Sequence, residues 1–192
     1  MADPLQTALR NTIKQIRQRL PHEYHMKISR KVCSRIRNLR EYRYAKRIGL
    51  YFAVNGEIDL EPIWRTAPYQ GKFCYFPVIN EDGITLSFLP ATPATPFALN
   101  RYGIPEPEVS RDQAISLIDL DIIFVPLVAF DAHCTRLGMG AGYYDRTFAQ
   151  LQANLFGVAY QFQQVDYIQP YPWDIPMNAV ITQNGIQRRV ES

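Results

Sequence analysis

Arg136-Leu-Gly-Met-Gly-Ala-Gly-Tyr-Tyr-Asp-Arg146 is a glycine-rich run with an arginine at each end. Its three glycines leave a backbone that can direct several N–H groups into one concavity. The apolar run of residues 121–130 before it predicts a strand buried on both faces, and residues 144–151 after it predict a helix. A strand, a glycine loop and a helix N-terminus in this order favour the binding of a phosphate group.

The glycine run is neither of the two commonest phosphate loops. The Walker pattern needs a glycine, four residues and then Gly-Lys-Ser or Gly-Lys-Thr, and the chain has no such run. The dinucleotide pattern G-x-G-x-x-G would need a glycine where Tyr143 stands. The flanking residues favour a ligand site over a plain turn, because Arg136 and Arg146 can match phosphate oxygens and the Asp145 carboxylate is a natural magnesium ligand.

Helical and strand patterns alternate along the rest of the chain. Apolar residues recur every three or four positions over residues 5–20 and 28–39, which predicts two amphipathic helices, with Arg10 and Arg17 largely off the first stripe. Strands are predicted at residues 48–53, 72–79, 84–89, 155–160 and 179–182, short helices at 59–64 and 110–117, and a proline-rich loop at 90–107. The alternation predicts an α/β fold of three αβα layers around a largely parallel central sheet.

The predicted fold has consequences for domain organisation and for the place of a ligand. We expect one domain over residues 1–192, in which the basic helices of residues 1–40 pack on the α/β core. Ligands of such sheets gather at the carboxyl ends of the strands. Residues 52–57, 131–145 and 160–164 follow three predicted strands, so they should converge.

Composition places the chain among soluble globular proteins. Of its 192 residues, 47% are hydrophobic and 20% charged, and no window approaches the roughly 20 apolar residues of a membrane span. The N-terminus lacks the apolar core of a signal peptide. Cys33, Cys74 and Cys134 are odd in number and widely spaced, which predicts neither a disulfide framework nor a zinc site. A reducing cytoplasm is the expected location.

The net charge of +3 conceals a strong asymmetry. Residues 1–47 carry 13 Lys or Arg against 3 Asp or Glu, so the remainder of the chain is acidic. A solvated helical face is the simplest explanation. The basic segment could also form an electropositive rim that attracts an anionic ligand, or a nucleic-acid surface. Charge alone does not separate these three alternatives.

Several stretches of sequence outside the glycine run form a recognisable pattern together with it. They are Tyr51-Phe-Ala-Val-Asn-Gly-Glu-Ile-Asp59, Gly71-Lys72 leading into Phe76-Pro77, Gly103-Ile-Pro-Glu-Pro107, residues 120–131 and Pro172-Trp-Asp-Ile-Pro176. In this order, and with the glycine run, they resemble the family of 5-formyltetrahydrofolate cyclo-ligase, or methenyltetrahydrofolate synthetase, over nearly the whole chain. The resemblance implies a three-layer fold similar to the sugar-phosphate isomerase and CoA-transferase folds. It also implies an ATP-dependent enzyme that closes 5-formyltetrahydrofolate into 5,10-methenyltetrahydrofolate, with release of ADP and phosphate.

The matched positions imply which residues form the site. Those implied for ATP are Gln6, Arg10, Arg136, Leu137, Gly138, Met139, Gly140, Ala141, Gly142, Tyr143 and Tyr144. Those implied for the folate substrate are Phe52, Glu57, Tyr102, Met139, Gly140, Ala141, Gly142 and Tyr143. Arg136, Tyr143 and Asp145 are the implied catalytic residues, and Asp145 and Asp174 the implied ligands of Mg²⁺.

Some of these positions carry alternatives or departures. The Glu57 carboxylate can accept paired hydrogen bonds from a pterin, whereas Tyr102 either stacks on the substrate rings or packs in the core. Gln6 stands where the family has a lysine, and Cys134 where glycine is common. Both departures concern ATP affinity more than the fold. His25, between the first two helices, is expected to be solvated.

Three functions from different classes are therefore open. The leading one is the cyclo-ligase, acting on ATP and 5-formyltetrahydrofolate with or without a polyglutamate tail. The second is a folate-binding or regulatory homologue with weakened ATP turnover, motivated by Gln6. The third is a nucleic-acid-binding protein, which the family resemblance disfavours. A monomer with no membrane partner is expected.

Overall fold

The computed structural model describes residues 3–190, so the two ends of the expected 1–192 domain lie outside the described residues. The α-helices are α1 Pro4–Gln18, α2 His22–Asn38, α3 Arg40–Tyr44, α4 Glu61–Thr66 and α5 Tyr143–Phe148. The strands are β1 Arg47–Gly49, β2 Phe73–Ile79, β3 Leu86–Pro90, β4 Phe97–Leu99, β5 Pro105–Pro107, β6 Ile122–Pro126, β7 Ala129–Phe130, β8 Arg136–Leu137, β9 Leu155–Val158, β10 Ala179–Ile181 and β11 Ile186–Arg188.

Seven of these strands form one sheet in the order β11-β10-β9-β6-β1-β2-β3. The five inner strands are parallel to one another, and the edge strands β11 and β3 are antiparallel to their neighbours. The predicted α/β class with a largely parallel sheet is therefore confirmed. The likeness to the sugar-phosphate isomerase and CoA-transferase folds stays a prediction, as does the single domain.

Alternate residues of β6 serve two different cores. Ile122 and Phe124 join the cluster under α2, α3 and α4, whereas Ile123 and Val125 join the cluster that contains Phe148 of α5. Each large apolar side chain buried in this way contributes roughly 1.5–3 kcal/mol relative to exposure. The second face is covered by the short α5 and by irregular chain, so its outer layer is thinner than the predicted helical layer.

Helix α1 crosses the carboxyl edge of the sheet. Its Ile13 packs with Val128, Leu137 and Ile168 in a third cluster, just beyond the strand ends. Arg17 was expected off the apolar stripe, but it is 2% exposed and its Nη1 donates to the Leu127 carbonyl 3.1 Å away. The expectation was wrong because this helix face meets the polar ends of the strands.

The predicted strand of residues 121–130 is in fact two strands. After β6, the Leu127 carbonyl accepts hydrogen bonds from the side chains of Arg17 and Gln163, and the Val128 N–H donates to Leu137. The chain therefore leaves the central sheet at Leu127, and β7 pairs with β8 instead. The strand predicted at 48–53 is likewise shorter, since the ladder of β1 ends at Gly49.

Four other segments also differ from their predictions. No α-helix forms over 110–117, because the Ile115 N–H donates to Phe88 of β3 and leaves room for two 3₁₀ turns only, Arg111–Gln113 and Leu117–Asp119. The loop of residues 90–107 contains the β4–β5 hairpin. The helix predicted over 144–151 ends at Phe148, and β11 follows the strand that was expected to be the last.

Two further features of the described residues bear on location. The three cysteines are free and buried. Among the helices of residues 3–190, none is both long and apolar enough to cross a bilayer.

Candidate active site

The glycine loop leaves β8 and ends at the first residue of α5. Gly140 has a φ of 101° and Gly142 a φ of 68°, conformations that residues with a Cβ rarely adopt. The approach to the loop is held by the buried Asp131, whose Oδ1 accepts the N–H groups of His133 and Thr135 at 2.9 Å. Cys134, where the family often has glycine, has a φ of 61°, which explains why glycine suits this position.

Helix α1 is joined to the loop by Arg10. Its Nε donates to the Gly138 carbonyl at 2.8 Å, and its Nη2 donates to Gln6 Oε1 at 3.3 Å. The two residues implied for ATP on α1 therefore lie at the loop, as the motif predicts. Gln6 has no charge, but its amide orients the arginine that contacts the loop.

Arg136 and Asp145 contact each other directly. Arg136 Nη2 donates to Asp145 Oδ1 at 2.5 Å, and its guanidinium lies 5.7 Å from the centre of the Tyr144 ring. The side chains are only 6% and 18% exposed, and the buried Arg136 Nε has no hydrogen-bond partner among the described residues. The arginine implied for phosphate and the carboxylate implied for the metal thus neutralise each other here.

The second implied metal ligand lies next to the first. Asp145 Oδ1 also accepts the Ile175 N–H at 3.2 Å, and Asp174 is the preceding residue, with its Oδ2 accepting the Tyr171 N–H at 2.8 Å. Within residues 3–190, no group of three or more His, Cys, Asp or Glu could hold a metal ion. Two carboxylates from adjoining segments still fit Mg²⁺ in number, since this ion usually takes one or two of them and completes its shell with phosphate oxygens and water.

Glu57 lies in a tight turn at the carboxyl edge of β1 and is 4% exposed. Val54 and Glu57 exchange two hydrogen bonds, from the Glu57 N–H to the Val54 carbonyl at 3.1 Å and from the Val54 N–H to Glu57 Oε2 at 3.0 Å. Asn55 and Gly56 between them have φ angles of 52° and 73°. Burial raises the pKa of Glu57 to about 7, against the opposing effect of Arg17.

His25 was expected to be solvated, but it is half-buried and contacts the protein. Its Nε2 lies 2.8 Å from the Glu57 carbonyl oxygen, so α2 also supports this turn.

Three tyrosines surround the Glu57 carboxyl group. Burial raises the pKa of Tyr51, Tyr144 and Tyr160, and the negative charge of Glu57 raises each of them further. The Tyr51 hydroxyl donates to the Ile58 carbonyl, whereas the buried Tyr160 hydroxyl has no partner in the part of the chain that the structure describes. The segments that follow β1, β6 and β9 do meet, because Arg17 lies 3.9 Å from Glu57 and donates to the Leu127 carbonyl, which also accepts from Gln163.

Tyr143 points to a second cluster. Its hydroxyl accepts from Arg101 Nη2 at 2.8 Å, lies 3.1 Å from the Tyr102 hydroxyl and donates to the Gly83 carbonyl at 3.2 Å. These hydrogen bonds, first that of Tyr102 and then that of Arg101, lower the pKa of Tyr143. Tyr102 is 56% exposed, so of its two alternatives core packing is excluded.

The other residues implied for ATP or folate differ in how accessible they are to a ligand. Met139 is 52% exposed on the loop, and the Ala141 carbonyl accepts from Arg146 Nη2 at 2.5 Å. Leu137 is a core residue under α1, so only its backbone could contact a nucleotide. Phe52 is half-buried in an aromatic cluster, its ring centre 4.7 Å from Phe97, 4.8 Å from Phe76 and 5.8 Å from Trp64.

Sequence reasoning missed three residues of this region, namely Arg17, His25 and Arg101. For Arg17 the helical period contained the information, because position 17 lies seven residues after Arg10 and shares its helix face. Arg101 adjoins the implied Tyr102, but nothing in the sequence shows that it bonds Tyr143. For His25 the sequence offers no comparable indication.

Known proteins resemble the chain over most of its length. Residues 3–183 match the model of the 5-formyltetrahydrofolate cyclo-ligase family. The chain is 39% identical over 173 residues to the 5-formyltetrahydrofolate cyclo-ligase of Haemophilus influenzae, covering 88% of this chain and 92% of that protein. It is 32% identical over 178 residues to the enzyme of that name from Escherichia coli strain K12, covering 91% and 98%.

Solved structures agree with the sequence relatives. An NMR structure of Aquifex aeolicus 5,10-methenyltetrahydrofolate synthetase superposes with a TM-score of 0.84 at 32% identity, over 98% of this chain and 94% of that one. The 5,10-methenyltetrahydrofolate synthetase of Mycoplasma pneumoniae superposes with a TM-score of 0.75 at 25% identity, over 93% and 98%. The chain belongs to the 5-formyltetrahydrofolate cyclo-ligase family.

Proposed function

We propose that this chain catalyses the ATP-dependent cyclisation of 5-formyltetrahydrofolate to 5,10-methenyltetrahydrofolate, with release of ADP and phosphate. Family membership supports the reaction. The observation that carries it is the junction made by α1, where Arg10 contacts the glycine loop and Arg17 approaches Glu57. One helix therefore connects a loop suited to phosphates with a buried carboxyl group suited to a pterin.

The reaction presents a problem of electrophilicity and leaving group. A formamide carbonyl is a weak electrophile, and its oxygen leaves poorly. Transfer of the γ-phosphoryl group from ATP to the formyl oxygen remedies both, after which N10 attacks the formyl carbon and phosphate departs. The protein has to hold the reactants in line and neutralise phosphate charge, so positioning and electrostatics dominate over covalent catalysis.

For the nucleotide, we assign the amide N–H groups of residues 138–144 and the guanidinium groups of Arg10 and Arg136. Arg136 pairs with Asp145, and within residues 3–190 its Nε has no hydrogen-bond partner, which supports the assignment because this N–H could donate to a phosphate oxygen. Asp145 and Asp174 would hold Mg²⁺. When bound, that ion neutralises phosphate charge and orients the transferred group.

For the folate, we assign Glu57 as the acceptor of the amino and ring N–H groups of the pterin. Phe52, Met139, Tyr102 and Tyr143 would line the remainder of the substrate. The hydroxyl cluster of Tyr102 and Tyr143 connects the β4–β5 hairpin region to the glycine motif, so a substrate held there would lie close to the transferred phosphoryl group.

The deciding experiment uses purified protein with 5-formyltetrahydrofolate and ATP, with and without Mg²⁺, and follows the absorbance of the methenyl product. Product formed only with ATP and Mg²⁺ supports the proposal. Folate binding without product would instead support the regulatory homologue that the uncharged Gln6 suggests. Salt-sensitive nucleic-acid binding without folate binding would contradict both.

We also propose that the protein acts as a monomer in the cytoplasm. Every assigned residue comes from one chain, so the site needs no second copy. Sedimentation of the active protein at the 22.2 kDa expected for one chain would agree. Activity that falls on dilution, together with a larger sedimenting mass, would contradict the monomer.

A further inference from the structure

Arg17 is a buried arginine that no assigned role explains. It is 2% exposed, and its Nη1 donates to the carbonyl of Leu127, where the chain leaves the central sheet. The same Nη1 lies 3.9 Å from Glu57 Oε1. Since a buried charge without a partner is strongly unfavourable, the pairing with Glu57 accounts for a cation at this depth.

The backbone of α1 and the turn that carries Glu57 are in close contact as well. A Cβ at Gly56 would lie 2.6 Å from the Arg17 carbonyl oxygen, so only glycine permits this approach. One residue further, Gln18 Nε2 donates to Asn55 Oδ1 at 3.4 Å. The position of Glu57 is therefore set by the last turn of α1.

The groups that face Glu57 come from five elements. Arg17 approaches from α1, His25 from α2 through the Glu57 carbonyl, Tyr51 from the end of β1, and Tyr144 and Tyr160 from α5 and the end of β9. The three phenols are neutral or, when ionised, negative, so they supply no positive charge that could oppose the cost of burying a carboxylate. Arg17 is the cation whose charge opposes the effect of burial and lowers the pKa of Glu57.

We propose that Arg17 is a positioning residue for the reaction, which holds the Glu57 side chain in place and favours its ionised form while a reduced pterin binds. This inference rests on the proposed function. An ionised carboxyl group accepts hydrogen bonds through both oxygens, whereas the protonated group has one O–H donor in place of an acceptor. Arg17 acts through Glu57 and needs no contact with the substrate.

The first test observes Glu57 in the ligand-free protein. The side-chain carboxyl carbon of Glu57, assigned with Glu57→Gln, is followed by NMR as the pH is changed. The midpoint of wild type is expected at about 7. Arg17→Met should raise it by about one pH unit or more, because the opposing charge is removed while burial stays. Arg17→Lys, which retains the charge, should raise it less.

Two controls accompany the titration. Arg19→Met removes an exposed cation next to the end of the same helix and should leave the midpoint unchanged. His25→Gln removes the imidazole that contacts the Glu57 carbonyl oxygen and should also leave the midpoint close to that of wild type. If Arg17→Met fails to fold, as judged by circular dichroism, the smaller change Arg17→Gln provides the same measurement. A midpoint equal to that of wild type in a folded Arg17 variant overturns the inference.

The second test measures turnover against pH. At about pH 7, Arg17→Met should raise the KM for 5-formyltetrahydrofolate by roughly fivefold for a midpoint shift of one pH unit, because Glu57 of wild type is already about half protonated there, and KM should recover towards about pH 9. The kcat should change little, whereas a merely structural defect would lower kcat at every pH. In the Glu57→Gln background, Arg17→Met should add no further change in KM, and an additive effect would contradict the inference.

The two tests separate this inference from the proposed function. Wild-type protein without turnover would contradict the cyclo-ligase, yet the ligand-free titration would still decide whether Arg17 controls the charge of Glu57. Normal turnover of wild type, together with a Glu57 titration midpoint that Arg17→Met does not shift, would support the cyclo-ligase and contradict the role of Arg17.

Discussion

The buried carboxyl group of Glu57 should make the stability of the protein depend on pH. Its pKa is raised from 4.5 to about 7 in the folded state, mainly by burial. The folded state therefore binds a proton more tightly than the unfolded chain does. This stabilisation is fully present below pH 4.5 and is lost as the pH rises through about 7. The difference is on the order of 3 kcal/mol.

Urea unfolding at about pH 5 and about pH 8 measures this dependence. Wild type should lose more free energy of unfolding between the two values than Glu57→Gln, because glutamine does not titrate. Glu81→Gln, which changes an exposed carboxyl group, is the matched control. If wild type and Glu57→Gln lose the same free energy, the carboxyl group is not buried in the folded state in solution.

Arg136→Ala should weaken ATP binding. The side chain is 6% exposed, and within residues 3–190 its guanidinium group has Asp145 as its one hydrogen-bond partner, so it can exchange this partner for a phosphate oxygen. A hydrogen bond between charged groups contributes roughly 1.5–3 kcal/mol, and we expect the KM for ATP to rise about tenfold or more. Arg65→Ala, which breaks the exposed pair with Glu61, should leave that KM unchanged. An equal KM in both variants would remove the assignment of Arg136.

At the scale of residues, the sequence predicted the location of those side chains whose surroundings are set by a sequence motif. Arg10 and Tyr143 lie where the motif implies, because the motif itself fixes their surroundings. Arg17 was not predicted, since its partners Leu127 and Glu57 lie far along the chain and an arginine on a helix is more often solvated. The sequence also did not predict that Arg136 pairs with Asp145, although it implied a role for each of the two residues.

At the scale of elements, the glycine loop depends on backbone conformation. Gly142 has a φ of 68°, and a Cβ there would lie 2.7 Å from Arg146 Nη1, the end of a flexible side chain. Gly142→Ala should therefore lose about 1–2 kcal/mol of stability, mostly from the left-handed backbone. Because α5 begins at the next residue, the loop amides should also shift, and the KM for ATP should rise.

Gly71→Ala separates the effect of backbone strain on stability from the effect of loop geometry on ATP binding. Gly71 has a φ of 67°, and a Cβ added there would meet nothing within 4 Å, so the substitution carries the backbone strain alone and lies outside the loop. It should lower the stability by a similar amount, measured by thermal unfolding, and leave the KM for ATP as in wild type. A rise in KM in both variants would mean that lost stability, rather than loop geometry, affects ATP.

Helices and strands were predicted well where a periodic apolar pattern extends over many residues. They were predicted badly where contacts with residues far along the chain end the element. The residues of α2 face the core as their spacing predicts, because a 17-residue amphipathic pattern leaves little choice. The split of residues 121–130 into β6 and β7 could not be predicted, since it depends on side chains of Arg17 and Gln163 that bond Leu127. The bridge from Ile115 to Phe88 similarly prevented the predicted helix.

At the scale of the whole molecule, the parallel sheet explains why the two subsites are neighbours. The carboxyl ends of β1, β6 and β9 meet at one edge, and α1 crosses that edge between Arg10 and Arg17, about 10 Å apart along the helix. Alternating strands and helices were sufficient to predict this edge. Of the two antiparallel edge strands, β3 was predicted at residues 84–89, whereas β11 was not, because it has only three residues and no distinctive pattern.

Two neighbouring but separate subsites should respond independently to substitution. Ligand at about 100 times its dissociation constant stabilises the folded state by about 2.7 kcal/mol, which for a chain of this length raises Tm by roughly 5–10 °C. Magnesium ATP alone and 5-formyltetrahydrofolate alone should each produce such a rise in wild type. Arg136→Ala should lose about half or more of the rise due to ATP, as a tenfold or greater loss of affinity requires, and keep that due to folate, and Glu57→Gln should show the reverse. If both variants lose both rises, Arg136 and Glu57 belong to one site and the division along α1 is wrong.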